Sequence, residues 1–265
     1  ERPSRLVGSE MCIRDRNYTV ATFQRKVMAR SNVSAILVNR QAFDDFKWAS
    51  KDFNTIVGAE FNLATENNRW RGKAFYQQSF VPGMDTLKDL GANATWLSYN
   101  SPTWSFAWNH EYIGDNFTAE VGFVPRKGVF RLEPDVGYRF YGKKKINWHS
   151  PDLYADIFFD NNTWEALDWE FRARYKVVFK SSAELTFFYN NLFTKLTSPF
   201  DASRTGGEPL PIGEYHYDKV GFNFASNFRK PFRYSLKANF GSYFNGTKLT
   251  YCLLYTSPSP RDEKV

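Results

Sequence analysis

Leu167-Asp168-Trp169-Glu170-Phe171-Arg172-Ala173-Arg174-Tyr175-Lys176-Val177-Val178-Phe179 changes polarity at almost every step. Apolar and aromatic side chains fall on Leu167, Trp169, Phe171, Ala173, Tyr175, Val177 and Phe179. Charged ones fall on Asp168, Glu170, Arg172, Arg174 and Lys176, with Val178 the one exception. A period of two places successive side chains on opposite faces of a β-strand. A helix is excluded, because residues three and four apart do not share polarity. The run would extend over about 43 Å at 3.3 Å per residue. Soluble strands usually stop at about five or six residues, whereas a tilted membrane strand needs about 9–11.

The pattern recurs. Phe232, Tyr234, Leu236, Ala238, Phe240 and Phe244 alternate with Arg233, Ser235, Lys237, Asn239, Gly241 and Tyr243, and Ser242 breaks the apolar row. Trp104, Phe106, Trp108, His110 and Tyr112 alternate with Ser105, Ala107, Asn109 and Glu111. Turn residues separate such runs at Glu66-Asn67-Asn68, Gly114-Asp115-Asn116, Asp160-Asn161-Asn162, Lys180-Ser181-Ser182 and Asn245-Gly246, the last being the strongest hairpin signal. About 12 strands are expected between Asn17 and Phe244, with longer connections near Ala42–Lys51, Val81–Ala92 and Leu196–Gly213. This count sets the loops after Phe80 and Lys195 at opposite ends of the strands. The conflict disappears only if a strand is merged or split within Phe117–Phe140 or Lys145–Asp160, where prolines can bend or end a strand.

Composition agrees with a sheet wetted on one side. The chain holds Phe 26, Tyr 15 and Trp 8, yet its mean hydropathy is −0.53. A membrane barrel, with lipid on one strand face and water on the other, combines those properties. No segment approaches the 18 apolar residues of a spanning helix, and the longest candidate is Val33 to Val38. The formal net charge of +7 is dispersed along the chain, which argues against a nucleic-acid partner.

Both termini differ in character from the rest. Residues 8–16 and 252–262 resemble translated sequencing adapters, so 1–16 and 252–265 are expected to be disordered additions and 17–251 a partial outer-membrane barrel domain. Cys12 and Cys252 fall in those additions, which makes a disulfide between them an unattractive reading.

Several segments resemble the domain of unknown function DUF5916, found in large surface proteins of Bacteroidetes and related bacteria. They are Tyr18 to Gln41, with Ser31-Asn32-Val33-Ser34-Ala35-Ile36-Leu37-Val38-Asn39-Arg40 most telling, Gly122-Phe123-Val124-Pro125-Arg126, Glu133 to Phe140, Tyr217 to Asn223 and Asn239 to Thr247. The resemblance implies a C-terminal barrel-like domain that commonly follows a family 9 carbohydrate-binding module. Carbohydrate would then be a partner only through that upstream module.

Candidate sites are few. His110, His149 and His216 have no second His or Cys at metal-ligand spacing, and no nucleophile elbow or phosphate-binding loop is present. Neither a catalytic role nor a cofactor is expected. Glu170, Arg172, Arg174 and Lys176 are the candidate charges facing a barrel interior, where they would set the field met by a solute or form a ladder with neighbouring strands. The latter is the better expectation. Arg126 and Glu133 form a candidate rim motif in which the two could pair. Trp70, Trp104, Tyr112, Tyr141 and Trp164 suit interfacial girdles, and Leu196–Gly213 reads as an exposed loop.

The sequence therefore predicts an all-β, antiparallel up-and-down transmembrane β-barrel, incomplete, in the bacterial outer membrane with outer-membrane lipid as partner. It would serve as anchor, channel or export component of a surface carbohydrate-handling protein. The alternative is a soluble or surface-attached β-rich carbohydrate-binding or glycoside-processing domain.

Overall fold

The computed structural model describes residues 16–44, 47–84, 89–202 and 204–257, without the side chains of 44–50. Fourteen strands form one antiparallel sheet, and no helix is present among the described residues. In chain order they are β1 (Arg16–Val27), β2 (Ser31–Asp44), β3 (Lys47–Ala64), β4 (Trp70–Phe80), β5 (Gly91–Asn100), β6 (Trp104–Ile113) and β7 (Val129–Tyr138). There follow β8 (Phe140–Tyr141), β9 (Ile146–Asp160), β10 (Ala166–Phe179), β11 (Glu184–Leu196), β12 (Gly213–Ala225), β13 (Arg233–Tyr243) and β14 (Gly246–Thr256). Each strand pairs with its sequence neighbour, except that β7 pairs β9 and the short β8 continues the β7 side against β9. The path β1 to β14 does not close on itself, so β1 and β14 each have one neighbour.

Directly opposite residues in an antiparallel pair share a face, so the strand registers carry a largely apolar face across the sheet. On one face Val33 and Leu37 (β2), Val57 and Phe61 (β3), Phe106 (β6), Val136 (β7), Leu153 (β9), Phe171 (β10), Phe187 (β11), Val220 (β12), Phe240 (β13) and Leu249 (β14) follow one another. Many of these are exposed, Leu153 at 60% and Phe240 at 57%, because no second layer packs on them among the described residues. The opposite face carries most of the charges, although Arg25 and Asp218 fall on the apolar side.

The longest connections share one rim, which also holds the short turns 161–165 and 244–245. Residues 28–30, 65–69, 101–103, 139–145, 180–183 and 226–232 join strands at one rim, none longer than a short turn or hairpin loop. The opposite rim carries all three long loops, 81–90, 114–128 and 197–212. This corrects the expected parity, since the loops after Phe80 and Lys195 lie at the same rim. The strand pattern had blurred 114–128, which is a loop, and the β7–β8–β9 region, where β8 is only a stub.

Other expectations also shift. Twelve strands were expected and fourteen occur. The difference is the β8 stub and β14, which runs through Cys252 to Thr256, past the boundary drawn at Tyr251. Residues 252–256 are therefore strand rather than disordered tail, and Cys252 is a free, exposed thiol. Arg16 likewise begins β1, and Cys12 with the rest of 1–15 and with 258–265 lies outside the described residues. The connection expected at Ala42–Lys51 is replaced by extension of β2 and β3, with a bulge between Gln41 and Phe43. Pro134 and Pro151 do not end strands. Register is the same on either side of Pro134 in the β7–β9 pair, and Pro151 sits opposite Tyr175.

The last hairpin turns at Phe244-Asn245, one residue before the Asn-Gly signal, with Tyr243 opposite Gly246. Phe244 adopts φ 52°, a region that bulky residues seldom enter. Aromatic contacts hold it there, with ring centroids 5.6 Å to Phe200, 5.4 Å to Tyr215 and 5.3 Å to Tyr217.

Close strand approach needs a missing side chain at Gly241, where a Cβ would fall on the Asp218 carbonyl and the Lys219 backbone. Gly241→Ala should destabilise the sheet by about 1–3 kcal/mol through overpacking. Gly213→Ala, whose Cβ would meet nothing nearer than 3.8 Å, should be neutral. Thermal unfolding midpoints of the two variants check this, and equal midpoints would contradict the packing.

Candidate functional site

The charged face is knitted by ion pairs between neighbouring strands. Arg131 on β7 grips Asp156 on β9 through Nε at 2.8 Å and Nη2 at 2.9 Å, and also reaches Glu133 at 2.7 Å. Glu133 accepts further hydrogen bonds from Asn109 and from the Tyr154 hydroxyl, the latter at 3.0 Å. The candidate row continues this network. Glu170 pairs with Arg172 at 3.0 Å and accepts from Asn190 at 2.8 Å. Arg174 binds Asp152 at 2.7 Å and Lys176 binds Glu184 at 2.7 Å. All four candidate charges are thus partnered, Arg174 and Lys176 across to neighbouring strands and Arg172 with Glu170 along β10 itself.

The rim motif is not a pair. Glu133 lies in the middle of β7, two strand faces deep in the ladder, while Arg126 belongs to the 114–128 loop and binds Asp168 at 2.6 Å. Register explains the separation, because Glu133 sits opposite Asn109 and between Arg131 and Asp135 on the same face.

The main feature unforeseen from the sequence is the 114–128 loop itself, which folds back over the charged face. Near the long-loop rim that face carries an apolar island of Val38, Ile56, Ala92 and Ile113, and Phe117 covers it at 4% exposure with Ala119 and Val124 alongside. Burying such a side chain contributes about 1.5–3 kcal/mol. Buried polar groups then fix the loop backbone. Asn54, 1% exposed, donates from Nδ2 to the Thr118 carbonyl at 2.9 Å and accepts the Glu120 amide at 3.2 Å. The Thr118 amide donates to Ser79 Oγ at 3.3 Å, and the Asn116 amide to the Asp89 carbonyl at 3.0 Å.

Arg40 is the centre of the anchor. It is 4% exposed on β2 and bonds to both Asp52 and Glu120. A buried guanidinium is tolerable only when paired, since leaving it alone costs several kcal/mol. At the loop's other end Arg126 reaches Asp168 on β10 and lies 5.2 Å from the Phe158 ring. The loop therefore straddles the charged face from β2 to β10. The available signal was Arg40 itself, which breaks the row Ile36, Val38 on its own face.

Aromatic side chains concentrate at both rims. Trp70 packs on Tyr99 at 4.9 Å, Trp104 on Tyr138 at 4.7 Å, and Tyr138 on Phe140 at 4.6 Å along the short-turn rim, where the Tyr141 hydroxyl donates to the Pro102 carbonyl. Phe130 packs on Trp164 at 5.4 Å, and Trp169 stacks on Phe193 at 4.2 Å, near the long-loop rim, where Tyr112 also lies. Trp104 and Tyr112 on one strand stand about 26 Å apart at 3.3 Å per residue. Each histidine is absorbed in this apolar layer. His110 accepts from Trp108 Nε1 at 3.1 Å, His149 is 2.6 Å from the Tyr175 hydroxyl, and His216 packs on Phe193 at 4.7 Å. The expected surface loop, 197–212, is closed by reciprocal backbone hydrogen bonds between Phe200 and Leu210.

These features define an up-and-down antiparallel β-protein with one apolar and one charged face, and a long loop folded onto the latter. The chain belongs to the family described as "Domain of unknown function (DUF5916)", whose model matches residues 10–261. No curated protein and no solved structure matches it.

Asn54→Ala removes both hydrogen bonds to the loop backbone, a loss of about 1–3 kcal/mol in local stability. Trypsin should then cleave after Arg126 and Lys127 about tenfold faster than in the unaltered protein, without change elsewhere. Mass spectrometry of timed digests reads this, and an unchanged rate would show that Asn54 does not hold the loop.

Proposed function

We propose that this domain is the wall of an outer-membrane β-barrel that conducts or exports solute past its charged face, and that it has no catalytic role. The observation that carries the reading is the apolar face that runs along the sheet with no second layer packed on it among the described residues. In water such a surface far exceeds the few hundred Å² that soluble proteins leave exposed. In a bilayer it is the expected outer surface.

Three features support this reading. Strands of 10–18 residues, the β8 stub apart, are long enough to cross lipid when tilted. All three long loops at one rim, with only short connections at the other, suit the asymmetry of outer-membrane barrels. Aromatic belts at both rims suit the two membrane interfaces. No helix among the described residues is long and apolar enough to cross a membrane. The loop 114–128 would narrow the interior, as loops do in plugged barrels. Open edges are costly in lipid because their amide and carbonyl groups find no water, so β1 and β14 would need strand neighbours there. Carbohydrate would reach the protein through another module, and this domain would anchor and connect it.

The full-length natural protein should partition into detergent extracts of outer membranes. It should migrate faster on a denaturing gel before boiling than after, as a closed barrel does. A monomer that stays folded in detergent-free buffer, with no shift on boiling, would overturn the proposal and favour a soluble carbohydrate-binding domain.

A further inference from the structure

The charged face is not evenly compensated. From β3 to β11 its carboxylates are answered by cations. Glu60 pairs with Lys73, Glu133 and Asp156 with Arg131, Asp152 with Arg174, Glu170 with Arg172 and Glu184 with Lys176. Asp135 forms no ion pair, although the charges of Arg172 and Arg174 act on it. Over β12 to β14 the pattern changes. Lys219, Lys237 and Lys248 share the charged face, and no carboxylate lies within ion-pair distance of any of them among the described residues.

Their cross-strand neighbours explain this. Lys219 lies opposite Asn190 and Gly241, and Lys237 opposite Asn223 and Cys252, none of which carries a negative charge. The glycines and asparagines leave the ammonium groups room rather than partners. Glu170, whose field reaches Lys219, is already engaged by Arg172 and Asn190. Instead the lysines lean on aromatic faces. Lys219 Nζ lies 5.2 Å from the Tyr217 ring and 5.5 Å from Tyr243, and Lys248 Nζ lies 4.6 Å from Tyr243. Such contacts hold a cation without neutralising it. Two ammonium groups converging on one ring leave an uncompensated positive field in front of it.

We propose that the β12–β14 sector makes the conducting path anion-selective, with Lys219, Lys237 and Lys248 as the selectivity-determining residues for small anionic solutes. This rests on the conducting role proposed above and adds the class of solute. Uncompensated positive side chains along a pore wall raise the local concentration of anions and exclude cations, as basic rings do in anion pores. Lys26 and Arg71, also on the charged face and without an ion pair among the described residues, add to the same sign.

The test is single-channel recording of the full-length protein in planar bilayers under a tenfold potassium chloride gradient, repeated with potassium phosphate. The unaltered protein should pass anions several-fold better than potassium. The triple variant K219Q/K237Q/K248Q should lose most of that preference, and K219E/K237E/K248E should reverse it. K143Q/K144Q, exposed at the short-turn rim, should leave it unchanged. Cation preference in the unaltered protein, or a preference indifferent to the triple variants, would overturn the assignment while leaving a conducting barrel intact. Absence of current from protein that inserts and is heat-modifiable would overturn the conducting role and this assignment together.

Discussion

Everything in this molecule depends on unbroken antiparallel register. Because opposite residues share a face, the alternation of any one strand is imposed on its neighbours, and a slip of one residue would exchange grease for charge along a whole strand. The register shifts that occur lie near strand ends, at Gln41/Phe43, Ala166/Asp168 and Val178/Phe179. Between them the pairing is regular, so Phe171 and Leu153 remain on the same side as Phe187 and Val220 although they sit on four different strands.

The two faces solve different physical problems. On the charged face, arginines bridge adjacent strands, and each buried carboxylate gains a donor that offsets its lost hydration. Arg131 serves three acidic groups from one position, Glu111, Glu133 and Asp156. Around Val38 and Ile56 the same face turns apolar, and there the chain supplies its own cover in Phe117. The loop is thus held by apolar burial near its start at Phe117, by Arg40 of the sheet through Glu120 at its middle, and by its own Arg126 near its end.

Strand identity and the two faces were legible because a period of two is a local property, readable within Leu167–Phe179 alone. The ladder of Glu170, Arg172, Arg174 and Lys176 was legible for the same reason, since residues on one face of one strand must meet the next strand's matching face. Partners were less accessible. Arg126 and Glu133 are near in sequence, yet backbone register sends Glu133 to Asn109 and leaves Arg126 free to cross to Asp168. The folding of 114–128 onto the charged face depends on residues distant in sequence, such as Ser79 with Thr118, Asn54 with Glu120 and Arg40 with Glu120. Strand counting failed at the two-residue β8 stub, too short to show a period of two, and at β14, which runs past the boundary drawn at Tyr251.

The meander from β1 to β14 has thirteen consecutive members once the β8 stub is set aside, so its first and last strands point the same way. A polypeptide joined directly ahead of Arg16 would emerge among the long loops, and one joined directly behind Thr256 would emerge beside the short turns. Adding a single crossing at either terminus moves its attachment to the other side of the sheet. The odd tally thereby makes the placement of any appended module a matter of counting, and it obliges a cylinder with wholly antiparallel seams to contain an even number of staves.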